Sequence, residues 1–178
     1  LYTSYGYENF KNWIEVGGFD NITYKQNGRI IKLLTKLSIQ NLLHPFQSFI
    51  LGQKNIGPRI AAKYKIPLVF YGESEAEYGS PIHELAAKRD TSYWVQKNIN
   101  KIYLAGIPIK KLMNKYKIKL GDLKPYLPLD EAEIKKSKVE VHYLGYYLKW
   151  IPQETFYYAV ENCNFRPRPF RTQGTYNK

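Results

Sequence analysis

The sequence predicts an α/β fold in which helices cover an open, mainly parallel β-sheet. Residues 68–71, Leu-Val-Phe-Tyr, form an uninterrupted apolar run, which is typical of a strand buried on both faces. A helical pattern of apolar residues precedes this run, and Gly72 with several acidic residues follows it. Because ligands in open α/β sheets bind beyond the carboxyl ends of the strands, we expect the functional site just after residue 71.

Three elements are predicted before this strand. Apolar side chains at helical spacing predict a helix over 7–16, and two glycines provide the positive φ angles that suit its end. Aromatic and β-branched residues over 19–24, with an Asn-Gly turn after them, predict a strand. Leucine and isoleucine at steps of three and four predict a helix over 29–43 with one buried face.

The remaining elements surround a less regular stretch. Residues 56–64 repeat the helical pattern directly before the apolar strand. Amphipathic pieces between glycines and prolines indicate a helical insertion over 86–138. Alternating side chains predict a strand over 138–148, with Glu140 and His142 on one face, and a proline at a first turn begins a predicted helix over 152–163.

These patterns divide the chain into three segments. Residues 1–85 form the central part of an α/β domain, 86–138 the helical insertion, and 139–178 the last strand, a return helix and a basic C-terminal stretch. The first residue is Leu1 and the single methionine is Met113, so we expect a processed chain or a piece of a longer protein.

Composition excludes several classes of protein. With 44% hydrophobic and 24% charged residues, the 178 residues are typical of a globular domain rather than a disordered chain or coiled coil. There is no apolar run of about 18 residues, so we expect no membrane-spanning helix. Cys163, the single cysteine, excludes an internal disulfide and suits a reducing compartment such as the cytoplasm.

The net charge of +12 favours an anionic partner: nucleic acid, nucleotide phosphates or an acidic membrane surface.

Two segments combine residue types that suit a nucleotide. Residues 52–59 place Lys54 and Arg59 at a predicted helix start, where free backbone N–H groups and the helix dipole favour phosphate. Residues 72–79 place three carboxylates between two glycines, and carboxylate oxygens bind Mg²⁺ that bridges phosphates. Solvated basic and acidic surface is the alternative interpretation of both segments.

Other reactive residue types give weaker indications. The histidines are too scattered for a local zinc site, and we expect structural or surface roles for His44, His83 and His142. Cys163 lies on a predicted apolar helix face, which favours a buried, inert thiol. Three arginines near the C-terminus either grip a diphosphate or form a flexible basic tail. These patterns identify no general base.

Residues 43–79, LHPFQSFILGQKNIGPRIAAKYKIPLVFYGESEAEYG, resemble the N-acetyl sugar amidotransferases of bacterial surface-polysaccharide pathways, which are PP-loop ATP pyrophosphatases. Shorter similar blocks occur at 5–10, 18–20, 143–147 and 174–176, so the resemblance covers most of the chain. It implies a three-layer, doubly wound parallel sheet like that of the adenine nucleotide alpha-hydrolases, with five strands, of which this chain holds the third to the fifth.

The family pattern also includes an SGG-x-DS phosphate loop and usually a paired-cysteine metal ribbon, and neither occurs in these 178 residues. The resemblance therefore implies an internal fragment, incomplete at both ends and inactive alone. For the intact enzyme it implies that ATP, with Mg²⁺, adenylates the oxygen of an acetamido group on an N-acetyl sugar. Ammonia then displaces AMP and leaves an acetamidino group. The ammonia comes from a glutaminase partner resembling that of imidazole glycerol phosphate synthase.

The resemblance also implies three groups of site residues. The first group matches the acidic segment and consists of Gly72, Glu73 and Glu77. These residues would bind ATP, and the two carboxylates would bind Mg²⁺. Those matching the preceding phosphate contact are Lys54, Asn55 and Arg59. Those matching a C-terminal block that faces the sugar nucleotide are Arg171, Gly174 and Thr175.

Two other functions fit part of the pattern. A PP-loop enzyme that modifies tRNA shares the adenylation chemistry, and its substrate would account for the positive charge. A non-catalytic RNA-binding module would also account for the charge, but the sequence has no recognisable stacking motif on a strand face. We therefore expect an enzyme of sugar metabolism, without a nucleic acid or membrane partner.

Overall fold

The computed structural model describes residues 3–72, 88–89, 95–96 and 98–170, the two dipeptides by their backbone only. The fold is mixed α/β, mainly helical with a small sheet that contains a parallel strand pair, which confirms the α/β class. The chain forms two compact units. One contains the described residues of 1–24 and 149–178, and the other contains those of 25–148.

The first unit is built on two helices, α1 (Ser4–Gly17) and α8 (Pro152–Asn162), close to their predicted bounds. The hydroxyl of Thr3 accepts a hydrogen bond from the Gly6 N–H and so caps α1. Gly18 ends the helix with a φ of 63°. The predicted strand over 19–24 is wrong, because these residues have no regular structure. Phe19 packs on Trp13 of α1 instead, with ring centroids 5.4 Å apart.

The segment after α8 is held against α1. The side-chain amide of Asn9 exchanges two hydrogen bonds with the backbone of Arg166, at 2.8 and 2.9 Å. The Arg166 guanidinium donates to the Glu8 carboxylate at 2.6 Å, and this hydrogen bond with its charge attraction raises the pKa of Arg166 above its ordinary value. Arg166 is thus ion-paired within the unit rather than part of a loose tail.

The second unit contains the sheet and most helices. Its helices are α2 (Gly28–Leu42), α3 (Gln47–Tyr64), α4 (Ile109–Tyr116), α5 (Leu120–Leu123), α6 (Glu131–Ser137) and α7 (Leu144–Tyr147). Its strands are β1 (Leu68–Tyr71), β2 (Lys88–Arg89), β3 (Val95–Gln96), β4 (Tyr103–Leu104), β5 (Ile107–Pro108), β6 (Leu129–Asp130) and β7 (Glu140–Tyr143). Two 3₁₀ turns, Ile99–Lys101 and Lys124–Tyr126, complete it.

The sheet has the order β1-β7-β2, with β1 parallel and β2 antiparallel to β7. Leu68 pairs with Glu140 and Tyr71 with Tyr143, so the carboxyl ends of the two parallel strands lie side by side. The predicted strand over 68–71 is therefore confirmed. The one predicted over 138–148 is confirmed for Glu140–Tyr143 only, because Leu144–Tyr147 form α7. The predicted helical insertion over 86–138 is only partly helical, since β3 pairs with β6 and β4 with β5 inside it.

The larger hydrophobic core lies among the helices. It joins α2, the β4–β5 hairpin and α4 around the fully buried side chains of Leu34, Leu104 and Leu112. A smaller cluster joins α3 to one face of the sheet through Ala61, Val139 and Val141. The prediction that β1 is buried on both faces is wrong, because Leu68 and Phe70 point to the face opposite α3 and are 41% and 49% exposed.

Candidate functional site

The carboxyl edge of the parallel strands is where the sequence predicts a ligand. β1 ends at Tyr71 and β7 at Tyr143, and the centroids of these two rings lie 5.9 Å apart. Gly72 follows directly. Among the described residues, nothing lies within 4 Å of the position that a Cβ atom would take on this glycine. No residue in the described part of the chain therefore blocks a ligand from the backbone at Gly72, as expected for a glycine at the end of a parallel strand.

Helix α3 reaches this edge through an unusual contact. Pro58 lies inside the helix and has no N–H to donate to the carbonyl of Lys54, one turn earlier. The hydroxyl of Tyr71 donates to that carbonyl at 2.6 Å, which supplies the missing helical hydrogen bond from the end of β1. Gly57 permits the close approach, since a Cβ atom there would lie 3.3 Å from the Tyr71 hydroxyl oxygen.

The predicted helix start at residues 52–59 is wrong, because α3 begins at Gln47. Lys54, Asn55 and Arg59 thus lie in its interior, where the helix occupies the backbone N–H groups that were expected to bind phosphate. Asn55 is 3% exposed, and its side-chain amide donates to the Leu51 carbonyl at 2.8 Å. Any phosphate contact of these residues must come from side chains.

Arg59 borders a cavity of about 660 Å³ next to α6. Its guanidinium donates to the backbone carbonyl of Leu127 at 2.9 Å. Three lysines also line the cavity, and each lies at or near the C-terminal end of α3 or α6: Lys63, Lys65 and Lys136. Cations at helix C-termini complement the negative end of the helix dipole. We therefore interpret the positive charge around this cavity as charge that stabilises the ends of α3 and α6.

A hydrogen-bonded chain of three side chains lies on the sheet face opposite α3, around His142. Its Nδ1 atom lies 2.6 Å from the hydroxyl oxygen of Tyr147, and its Nε2 atom lies 3.3 Å from a carboxylate oxygen of Glu140. Phe70 contacts both rings edge-on, at centroid distances of 5.8 Å to His142 and 5.9 Å to Tyr147. The three groups can pass a proton between them.

Sequence reasoning missed this arrangement, although one signal was present. The strand alternation correctly placed Glu140 and His142 on one face. The third member, Tyr147, comes from α7, and only the fold of that short helix turns its hydroxyl back to the histidine. The expected structural role fits His44, whose Nδ1 accepts a hydrogen bond from the Phe46 N–H at 3.3 Å.

Several predicted residues lie outside the described part of the chain: Glu73, Glu77, His83, Arg171, Gly174 and Thr175. Their predicted roles remain predictions, and so does the Mg²⁺ site. The residues that the structure describes include no group of three or more histidine, cysteine, aspartate or glutamate side chains that could hold a metal ion. Cys163 ends α8 and is partly exposed, not fully buried as its apolar helix face predicted.

Within 3–72, 88–89, 95–96 and 98–170, every helix is too short or too polar to cross a membrane.

No model of a known protein family and no curated protein matches the chain. The family resemblance of residues 43–79 therefore remains a prediction from the sequence.

Proposed function

We propose that this chain is part of an ATP-dependent amidotransferase that converts the acetamido group of a nucleotide-linked N-acetyl sugar to an acetamidino group. The observation that carries the proposal is the carboxyl edge of β1 and β7, where Gly72 begins the acidic segment of the block, residues 43–79, that resembles that family. Parallel strands ending at an accessible glycine are the usual setting for a nucleotide in an open α/β sheet.

The chemistry explains why ATP is needed. An amide oxygen is a poor leaving group, and its adenylation turns it into a good one. Mg²⁺ would stabilise the charge of the departing pyrophosphate. In this proposal Glu73 and Glu77 hold Mg²⁺-ATP, and Gly72 lets the backbone approach the phosphates. The Lys54 and Arg59 side chains supply positive charge for the phosphates, and Arg171, Gly174 and Thr175 face the sugar nucleotide.

A glutaminase partner and the cytoplasm complete the proposal. The reaction consumes ammonia, and nothing in the sequence resembles a glutaminase, so a second protein would release ammonia from glutamine. The single cysteine suits the reducing compartment in which ATP and nucleotide-linked sugars are available.

Isotope transfer tests the reaction directly. The full-length enzyme is incubated with ATP, ammonium and a nucleotide-linked N-acetyl sugar whose acetyl oxygen is ¹⁸O. Adenylation of that oxygen followed by displacement of AMP predicts that the label is recovered in AMP. AMP without the label would overturn the proposed reaction, as would the absence of an acetamidino product.

The site assignment has its own test. Glu73→Ala and Glu77→Ala in the full-length enzyme should each lower pyrophosphate release by at least about tenfold, because each removes a ligand to the metal that binds the phosphates. Glu161→Ala, at an exposed position of α8, is the control and should leave release unchanged. Unchanged pyrophosphate release in both variants would show that the acidic segment is not the ATP site.

A further inference from the structure

The hydrogen bonds around His142 define which group gives a proton and which accepts it. An ionised Glu140 can only accept, so Nε2 of the imidazole donates to it. In a neutral imidazole the other nitrogen, Nδ1, then accepts the hydrogen bond of the Tyr147 hydroxyl. The tyrosine hydrogen therefore points at a base, and the imidazolium that would form on proton transfer lies next to a carboxylate.

The two ends of this chain are exposed and its middle is covered. The His142 side chain is 16% exposed, because the sheet and the Phe70 and Tyr147 rings cover it. Tyr147 is 52% exposed and the Glu140 side chain 48%, so another molecule can reach either end. Tyr147 belongs to α7, which follows β7 at the same edge as Gly72. Of the two accessible ends, Tyr147 is therefore the one at the edge where the proposed ATP site begins, because Glu140 is the first residue of β7.

The proposed reaction has a step that needs a base at this place. Attack of ammonia on the adenylated carbon gives a tetrahedral adduct whose new nitrogen is an ammonium. Ammonia would leave again unless this nitrogen loses a proton, after which AMP departs as the C–O bond breaks. A base beside the adduct therefore decides which of the two groups leaves.

We propose that Tyr147 is the catalytic base of this second step, with His142 and Glu140 as positioning residues; the inference rests on the proposed function. The Tyr147 oxygen takes a proton from the ammonium of the adduct while its own proton passes to Nδ1 of His142. The carboxylate of Glu140 stabilises the resulting imidazolium, which loses its extra proton to solvent once the product leaves.

The test separates the two steps in the full-length enzyme supplied with ammonium. General acid–base groups contribute about 10²- to 10⁴-fold to a rate. Tyr147→Phe should lower acetamidino formation by at least about 10²-fold while pyrophosphate release falls less than about twofold. Tyr146→Phe removes a hydroxyl from the neighbouring residue of the same helix and is the matched control. It should leave acetamidino formation unchanged.

The positioning residues need a readout that folding alone would not move. In the ¹⁵N spectrum of His142, we expect Nε2 to carry the hydrogen and Nδ1 to be an acceptor. Tyr147→Phe should shift the Nδ1 resonance, and Glu140→Gln should reduce the excess of the Nε2–H tautomer. His142→Gln, whose amide can also accept and donate, should retain more acetamidino formation than His142→Leu.

Each unfavourable result has a distinct meaning. Wild-type rates of acetamidino formation in Tyr147→Phe, or an Nδ1 atom that carries the hydrogen in the neutral imidazole, would overturn the base assignment and leave the proposed function intact. Failure of the proposed function itself looks different, because the wild-type enzyme would then release no pyrophosphate with any N-acetyl sugar.

Discussion

At the scale of single residues, the contact between Tyr71 and Lys54 explains how α3 continues through a proline. A proline inside a helix removes a hydrogen bond and usually costs about 3 kcal/mol. Here the hydroxyl at the end of β1 donates to the carbonyl that Pro58 leaves without its usual helical donor. The same contact fixes the position of α3 against β1, directly before Gly72.

Removing the Tyr71 hydroxyl should therefore destabilise the protein through the helix. Tyr71→Phe is expected to lower the free energy of unfolding by about 1–2 kcal/mol, towards the lower end of the usual cost of depriving a carbonyl of its donor, because this hydrogen bond is partly buried. Pro58→Ala restores a backbone N–H at this position, so in that background Tyr71→Phe should cost about 1 kcal/mol less. Urea denaturation of the four proteins in this double-mutant cycle measures the difference. An equal loss in both backgrounds would show that the hydroxyl does not replace the helical bond.

At the scale of elements, the β4–β5 hairpin connects the strands to the helical core. Its two-residue turn has positive φ at both positions, 54° at Ala105 and 74° at Gly106, as tight hairpins require. The side-chain amide of Asn41 donates to the Ala105 carbonyl at 2.9 Å, and the Ala105 N–H donates to the side-chain oxygen of Gln47 at 2.6 Å. The turn is thus bound to both α2 and α3.

Gly106→Ala tests how closely the turn is packed. A side chain at positive φ costs about 1–2 kcal/mol, and the new Cβ atom would lie 2.7 Å from the Cβ atom of Asn41, so the turn must also move. We expect thermal unfolding to show a loss of at least that size. Gly121→Ala is the control, because α5 leaves open space there among the described residues and alanine favours a helix. Equal stability of the two variants would contradict this account.

The elements that the sequence predicted correctly are those whose signal is local. In α1 and α2 amphipathic spacing follows an N-capping residue, and in α8 it begins at a proline. β1 is an apolar run and β7 has alternating side chains. The errors come from distant contacts. The start of α3 was misplaced because Gly57-Pro58 is typical of a helix beginning, and only Tyr71, 13 positions further on, makes a proline tolerable there. Residues 19–24 have strand composition, but Phe19 packs on α1.

The candidate site divides in the same way. The sequence located the carboxyl edge of β1, because an apolar strand followed by glycine is a local pattern. It could not find the chain from Glu140 through His142 to Tyr147, since that depends on how α7 turns back after β7. The backbone N–H groups that were predicted to bind phosphate at a helix start lie inside the helix, because α3 begins two turns earlier than its apolar pattern indicated.

At the scale of the whole molecule, charge is the property that bears on function. The chain has 27 lysine and arginine residues against 15 aspartate and glutamate residues, so positive charges exceed negative ones by 12. The ion pairs Lys11–Glu15, Lys135–Glu131 and Arg166–Glu8 have exposed or partly exposed partners, and such pairs contribute little to stability. The excess charge therefore acts mainly through long-range attraction of anions, which salt screens.

Salt dependence separates the proposed sugar amidotransferase from a tRNA-modifying enzyme. Attraction of a basic surface to any polyanion releases counterions, so affinity falls steeply between about 50 and about 200 mM salt. For the full-length amidotransferase we expect weak tRNA binding at low salt that is lost near the upper value. Pyrophosphate release with an N-acetyl sugar should persist at the upper salt concentration, because the phosphate contacts of the enzyme lie in a site rather than on an open surface.

Measuring tRNA binding and pyrophosphate release in the same salt series tests both statements, with polyuridylic acid as the control polyanion. A tRNA-modifying enzyme would give the reverse result: tRNA would bind more tightly than polyuridylic acid at the upper value, and tRNA rather than the sugar would stimulate pyrophosphate release.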